Sequence, residues 1–248
     1  MSIFKTMKEA LKDLYFNKKI DKNQAYYIDC LKKNGVSIGE NVVFMQPSKN
    51  VIDMVYPFMI EIGNNVCFSS GITILTHDYS HVLSRRLSGM VLSGVGKVKI
   101  GNNIQIGINT TILMGTEIES DVIIAANSLL KGKYESGYVY GGSPAKKICS
   151  INDFFQRREK IQTQMAVELT LEYKKKYGVF PNKKLFEPSH LFVIFSPINE
   201  YPDHFWKGHG QLNNSELIKK YYSSHARPFA SFEDFIRHCE EASFNDIK

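Results

Sequence analysis

The stretch "VKIGNNIQIGINTTILMGTEIESDVIIAANSLLKG", residues 98–132, carries an aliphatic side chain at Ile100, Ile106, Ile112, Ile118, Ile124 and Leu130, every sixth position without exception. Two places before each stand Val98, Ile104, Thr110, Thr116, Val122 and Ser128, small or β-branched residues that suit a second inward position on a short strand. An α-helix needs intervals of three and four, so this spacing excludes one. Short strands on a period of six predict a hexapeptide parallel β-helix, in which three strands make one triangular coil. Each coil stacks its inward aliphatics on the coil below, and no coil is stable alone.

The same period runs upstream through Ile62, Phe68 and Ile74, with Val36, Ile38, Val42 and Phe44 as an earlier, less regular pass; residues 45–59 fit it poorly. Gly39, Gly63 and Gly101 open the triplets "IGE", "IGN" and "IGN" at their second position, with Asn after the last two, residue types that tolerate left-handed backbone at corners. Between Gly63 and Gly101 the beat is lost. The interval is 38 residues where one coil takes 18, so about 20 residues are extruded as a loop over 77–96.

That loop, within "GITILTHDYSHVLSRRLSGMVLSG" at 71–94, holds the candidate chemistry. His77 stands at its base, directly after "ITILT", and an imidazole titrating near neutrality suits proton transfer. Asp78 either orients an imidazole or caps a turn. His81 is a second candidate, and Arg85 and Arg86 either meet an acidic group or stay solvated. A metal site from His77, Asp78 and His81 is possible in ligand type but disfavoured, because no histidine stands between His81 and His190 to supply ligands from successive coils. No metal is expected.

The flanks read as helices. Residues 3–34 carry Phe4, Met7, Leu11, Leu14 and Tyr15 at helical spacing and suit a cover for the first coil. After the repeat, "SINDFFQRREKIQTQMAVELTLEYKKKYG" opens with Ser150-x-x-Asp153 and closes at Gly178, and "SFEDFIRHCEEA" at 231–242 starts in the same way. The expected organisation is mainly β: an N-terminal helical cap at 1–34, a β-helix domain at 35–149 and a C-terminal helical extension at 150–248.

Composition bounds the rest. No run approaches the roughly 18 apolar residues of a membrane span, and the start lacks the order of a secretion signal, so a cytoplasmic protein without a membrane span is expected. Cys30, Cys67, Cys149 and Cys239 form no CxxC pair and read as reduced thiols. The net charge of +6 is moderate, and no basic run interleaved with aromatics suggests a nucleic-acid partner.

With the repeat, the loop histidine and "GGSPAKKI" at 141–148 together, the chain resembles the hexapeptide-repeat acetyltransferases of the maltose and galactoside type. It is most similar to bacterial capsule and cell-surface polysaccharide O-acetyltransferases, through "ILTHDYS", "KVKIGNNIQIGINTTIL" and the closing "GGSPAKKI" before a long helix. The resemblance implies left-handed coils and a homotrimer with active sites between subunits. It also implies acetyl-CoA as cosubstrate and a glycan hydroxyl as acceptor, attacked without an acyl-enzyme. His77 matches the family's general base. Ala126 and Lys131 match positions beside the pantetheine arm, with Ile108 on the same wall, and Lys146 matches a basic residue near the nucleotide phosphates, with Lys147 beside it. Gln105 stands where many relatives have Trp or Phe next to the acceptor. Ala125 and Asn127 replace usual glycines, and "KGKYESGYVY" replaces the usual turn. An amino-sugar-nucleotide N-acetyltransferase and a non-catalytic trimeric scaffold are the alternatives.

Overall fold

The computed structural model describes residues 15–207 and 214–245. Phe4, Met7, Leu11 and Leu14 of the expected N-terminal helix lie outside them. The chain divides into two compact units, Met1–Asn152 and Asp153–Lys248.

In the first unit, helix α1 (Gln24–Lys33) precedes six short strands: β1 (Ser37–Ile38), β2 (Val43–Phe44), β3 (Val51–Ile52), β4 (Ile60–Ile62), β5 (Val66–Phe68) and β6 (Thr73–Ile74). Helix α2 (His81–Ser88) interrupts them. Then follow β7 (Val98–Ile100), β8 (Ile104–Ile106), β9 (Thr111–Ile112), β10 (Glu117–Ile118), β11 (Val122–Ile124), β12 (Leu129–Leu130), β13 (Lys133–Tyr134), β14 (Tyr138–Gly141) and β15 (Lys146–Ser150). Through β14, each strand pairs in parallel with the strand three places on, giving three sheets. The first face is β1-β4-β7-β10-β13, the second β2-β5-β8-β11-β14 with β15 added antiparallel, and the third β3-β6-β9-β12. Three strands per coil and three parallel faces make the triangular β-helix that the six-residue period requires.

The register gives each inward residue a like neighbour above and below: Ile62, Ile100 and Ile118 on the first face, Phe68, Ile106 and Ile124 on the second, Ile74, Ile112 and Leu130 on the third. All are buried. The small polar residues on the same side are buried too, and their hydroxyls bond to corner carbonyls: Thr110 Oγ1 to Gly107 O at 2.7 Å, Thr116 Oγ1 to Leu113 O at 2.6 Å and Ser128 Oγ to Ala125 O at 2.7 Å. A buried hydroxyl is tolerated because it is paired.

One corner is an amide ladder. Asn41, Asn65, Asn103 and Asp121 all have φ between 56° and 58°. Their side chains connect in sequence, Asn41 Nδ2 to Asn65 Oδ1 at 3.0 Å, Asn65 Nδ2 to Asn103 Oδ1 at 2.9 Å and Asn103 Nδ2 to Asp121 Oδ1 at 2.8 Å. Left-handed backbone costs an ordinary residue about 1 to 2 kcal/mol. After glycine, Asn and Asp bear it most cheaply, and here they add a bond at each step.

Departures from the period are accommodated at corners. Ile38 pairs with Ile62, 24 residues on, where Ile100 and Ile118 are 18 apart. Two 3₁₀ turns, Pro47–Lys49 and Pro57–Met59, take up the excess, which is why residues 45–59 fit the repeat poorly. At the other end the spacing shortens, since Ile118 pairs with Tyr134 and Ile124 with Tyr140. The segment "KGKYESGYVY" thus supplies two further inward positions, whose rings meet edge to face at 5.0 Å. The opposite end is closed by aromatics as well: Phe44 stacks on Phe68 at 4.4 Å, Tyr27 of α1 meets Phe44 at 5.2 Å, and Gln24 Oε1 accepts from the Phe44 amide at 2.9 Å.

The second unit has its own core, centred on Phe186, Phe195, Phe229 and Phe235. Helix α3 (Ile151–Tyr177) begins after Ser150 and stops at Gly178, whose φ of 75° admits the left-handed turn. Among the described residues three further α-helices follow, α4 (Asp203–Lys207), α5 (Ser215–Ser224) and α6 (Phe232–Asn245). In α6 the expected cap is present: Ser231 Oγ accepts from the Asp234 amide at 3.2 Å, and Asp234 Oδ2 accepts from the Ala230 amide at 3.0 Å. About 43% of the structure is helical, so the mainly β description applies to the repeat unit rather than to the whole chain. Among the described residues no helix is long and apolar enough to cross a membrane. All four cysteines are free thiols.

Candidate active site

The chain leaves the prism at the corner between the third and first faces. The Leu75 amide still donates to Ile112 O at 2.9 Å, and then His77 and Val95 form an isolated antiparallel bridge. Asp78 N–H to Gly94 O at 3.1 Å and Gly96 N–H to Thr76 O at 2.9 Å flank that bridge. The loop is therefore pinned at its root, with His77 at the point of exit. Beyond the root it is not wholly irregular, since it contains α2, ended by Gly89 at φ 74°.

The partner of His77 is Asp53, a residue that sequence reasoning missed. Asp53 directly follows the third-face strand β3 of the preceding coil, so its amide donates to Ile74 O at 2.9 Å and its side chain lies under the next coil's exit. Its Oδ2 lies 2.6 Å from His77 Nδ1 and also accepts from Thr76 Oγ1 at 2.6 Å and the Thr76 amide at 2.9 Å; Oδ1 accepts from the Val55 amide at 2.9 Å. The Asp53 side chain is 2% exposed and that of His77 15%. Burial pushes the Asp53 pKa up, but the bonds from Thr76, Val55 and His77 outweigh it and hold the carboxyl at about 2. An ionised carboxylate only accepts, so in the neutral imidazole Nδ1 carries the proton and Nε2 the lone pair. The arrangement can take a proton at Nε2.

Asp78 does the other job left open for it. Its Oδ1 accepts from Ser80 N at 2.9 Å and Ser80 Oγ at 2.7 Å, and these bonds hold its carboxyl below the usual range. These bonds shape the loop, while the Nδ1 partner of His77 is Asp53. His81 begins α2, and its Nδ1 is buried without a hydrogen-bond partner among the described residues. Arg85 and Arg86 are exposed on the same helix. Gln105 lies on the outer side of the second face, between Cys67 and Ile123 in the ladder and 3.5 Å from Ser69 Oγ, away from the corner that carries His77.

The expected cofactor residues flank the third face. Ile108 and Ala126 occupy the same corner one coil apart, joined by Asn127 N–H to Ile108 O at 2.8 Å, and both are exposed. Lys131 follows the same strand level as Leu75, on the His77 edge of that face, two coils later. The "GGSPA" segment folds over the last strand of the face, through Leu129 N–H to Gly142 O at 3.0 Å and Ala145 N–H to Leu129 O at 2.8 Å. It leaves Lys146 exposed at that end. Lys147 is engaged elsewhere, 2.8 Å from Glu135 and over the Tyr138 ring at 3.5 Å. An exposed apolar edge ending in cations fits an elongated molecule with an anionic head. Among the described residues no three His, Cys, Asp or Glu side chains gather as metal ligands.

No family model matches the chain. It is 32% identical over 126 residues to "Protein CapG" of Staphylococcus aureus, covering 51% of this chain and 72% of that protein. It is 32% identical over 108 residues to "Putative acetyltransferase YvoF" of Bacillus subtilis (strain 168), covering 44% of this chain and 58% of that one. It is 31% identical over 126 residues to "Putative lipopolysaccharide biosynthesis O-acetyl transferase WbbJ" of Escherichia coli (strain K12), covering 47% and 64%. The chain thus spans less than two thirds of the last two, and about half of it is matched by each. With a six-residue repeat, three parallel faces and a histidine at the root of an extruded loop, the chain belongs to the hexapeptide-repeat acetyltransferases.

Proposed function

We propose that the protein is a cytoplasmic O-acetyltransferase that moves an acetyl group from acetyl-CoA to a sugar hydroxyl of a capsular or other surface polysaccharide. The observation that carries the reading is the His77–Asp53 pair at 2.6 Å. A neutral hydroxyl is a poor nucleophile at neutral pH, and a positioned base contributes about 10² to 10⁴ in rate. His77 Nε2 takes the hydroxyl proton, while Asp53 fixes the tautomer and stabilises the imidazolium that results. The proton is then returned to the departing thiolate, so His77 ends each cycle neutral. Acetyl-CoA supplies the acetyl group as a thioester. Ile108, Ala126 and Lys131 would hold its arm along the third face, and Lys146 would meet its phosphates.

The surface-glycan acceptor is supported by the likeness to WbbJ, named for lipopolysaccharide biosynthesis. Left-handed coils and a homotrimer complete the proposal. Exposed Val82, Leu83, Leu87, Val91 and Leu92 on the loop support the trimer, since a neighbouring subunit would cover them.

The test is thiol release from acetyl-CoA with two acceptor sets, neutral and acidic oligosaccharides against amino-sugar nucleotides. Release with an oligosaccharide hydroxyl is expected. Release only with the amino-sugar nucleotides would replace this reading by N-acetylation, and no release with either would favour a non-catalytic scaffold.

A further inference from the structure

The His77 imidazole has an aromatic ring on two sides. Tyr56 meets it edge-on, with centroids 5.8 Å and planes 90° apart, and Tyr79 meets it at 5.1 Å and 70°. Phe58 extends the group, 6.2 Å from Tyr56. These rings are not concealed: Tyr79 is 67% exposed and Phe58 66%.

None of the three is required by the prism. Tyr56 and Phe58 belong to the extra residues of the long first coil, and Tyr79 to the extruded loop. Both insertions that break the repeat therefore deliver aromatic side chains to one imidazole. Their position along the prism axis is informative. Tyr56 and Phe58 lie in the coil before His77, whereas Ile108, Ala126 and Lys131 lie in coils after it. The rings and the proposed cofactor wall thus flank the base from opposite ends of the prism.

We infer that Tyr56, Phe58 and Tyr79 form the acceptor platform, on which a pyranose ring of the glycan rests with one hydroxyl toward His77 Nε2. This rests on the acetyltransferase reading above and deepens it. A pyranose presents an apolar C–H face and a rim of hydroxyls. An exposed tyrosine offers the matching pair, an apolar ring face and a polar tip. Packing on that face removes apolar area from water without requiring a particular hydroxyl pattern, and the second ring limits how far the sugar can slide from the base. Tyr79, the most exposed and on the loop, carries most of this contact.

The experiment is steady-state kinetics of the full chain, wild type against Tyr79→Ala, Tyr79→Phe and Phe58→Ala, with whichever oligosaccharide supports thiol release. The acceptor and acetyl-CoA are varied separately, and the assembly mass is followed by light scattering. Tyr79→Ala is expected to raise the acceptor KM about 10-fold without moving the acetyl-CoA KM or the pH profile, in line with a loss of about 1.4 kcal/mol of binding. Tyr79→Phe should recover most of that loss, and Phe58→Ala should raise the acceptor KM in the same direction by less. An unchanged acceptor KM in both alanine variants would overturn the platform. So would a shifted pH profile, which would make the ring a support for His77, or a smaller assembly, which would make it a subunit contact. Wild-type protein that releases thiol with no sugar would instead remove the acetyltransferase reading, and the platform with it.

Discussion

Replacing Asp53 by Asn changes little volume but removes a buried charge that four donors address. Thr76 Oγ1 and the Thr76 amide, the Val55 amide and His77 Nδ1 all donate to it at 2.6 to 2.9 Å. An amide has one acceptor oxygen and two N–H donors, so at least one donor must face another donor. Leaving a buried group unpaired costs about 1 to 3 kcal/mol, and we expect Asp53→Asn to lose about that much in urea unfolding at pH 7. Part of the loss depends on pH. The Asp53 pKa lies at about 2 in the folded protein against an ordinary 3.8, and at about 1.4 kcal/mol per unit the ionised form contributes at most about 2.5 kcal/mol. Because the folded pKa is the lower one, this contribution is complete above about pH 4 and fades as pH falls toward 2. The gap between wild type and variant should therefore narrow between pH 4 and 2.5, and a gap of equal size at pH 2.5 and 7 would refute the reasoning. Activity gives a second reading. An amide N–H offered to Nδ1 drives the imidazole proton onto Nε2, where the base needs its lone pair, and a comparable tautomer change in the serine-protease triad costs about 10⁴ in kcat. A loss of about 10² to 10⁴ in kcat is expected here, and a variant within tenfold of wild type would exclude Asp53 from the mechanism.

Two further perturbations address the scaffold. Asn65→Ala removes both side-chain bonds of one rung and puts Ala at φ 57°; a loss of about 2 kcal/mol is expected in denaturant unfolding, with Asn65→Gly losing less because glycine adopts that angle freely. Gly107→Ala would drive a methyl group into the Ala126 amide nitrogen of the next coil. The coils would have to separate there, so a loss of about 1 to 3 kcal/mol is expected by thermal unfolding, with a raised acetyl-CoA KM from displacement of the adjacent Ile108 corner.

The inward column from Ile100 to Leu130 was legible because a repeating coil imposes one requirement, a buried aliphatic every six residues, and nothing competes with it. Loop exit at His77 was legible by the same logic, as surplus length between two Gly corners. Asp53 was not, for a physical reason. It lies in the stretch where two 3₁₀ turns lengthen the coil, so the period gives no register for it, and its pairing with His77 joins residues 24 apart that only coil stacking brings together. The available signal was the misfit itself, since residues 45–59, which break the repeat, contain an isolated aspartate in "VIDMVYP". Tyr134 and Tyr140 escaped for a related reason. The last coil is shorter than 18 residues, and tyrosine reaches the axis while its hydroxyl bonds to the corner backbone, at Lys131 N for one and Glu135 N for the other. The helical second unit was legible at the Gly178 stop and the Ser231 cap, but not in its aromatic core, which has no period.

The most direct test of the central claim is acceptor-dependent thiol release at saturating acetyl-CoA by wild type and His77→Ala, with the fold of the variant checked by circular dichroism. His77 is partly exposed at the loop root, so the variant should fold. A fall of at least about 100-fold in kcat is expected. A variant that folds and turns over at the wild-type rate would contradict the assignment of His77 as the base.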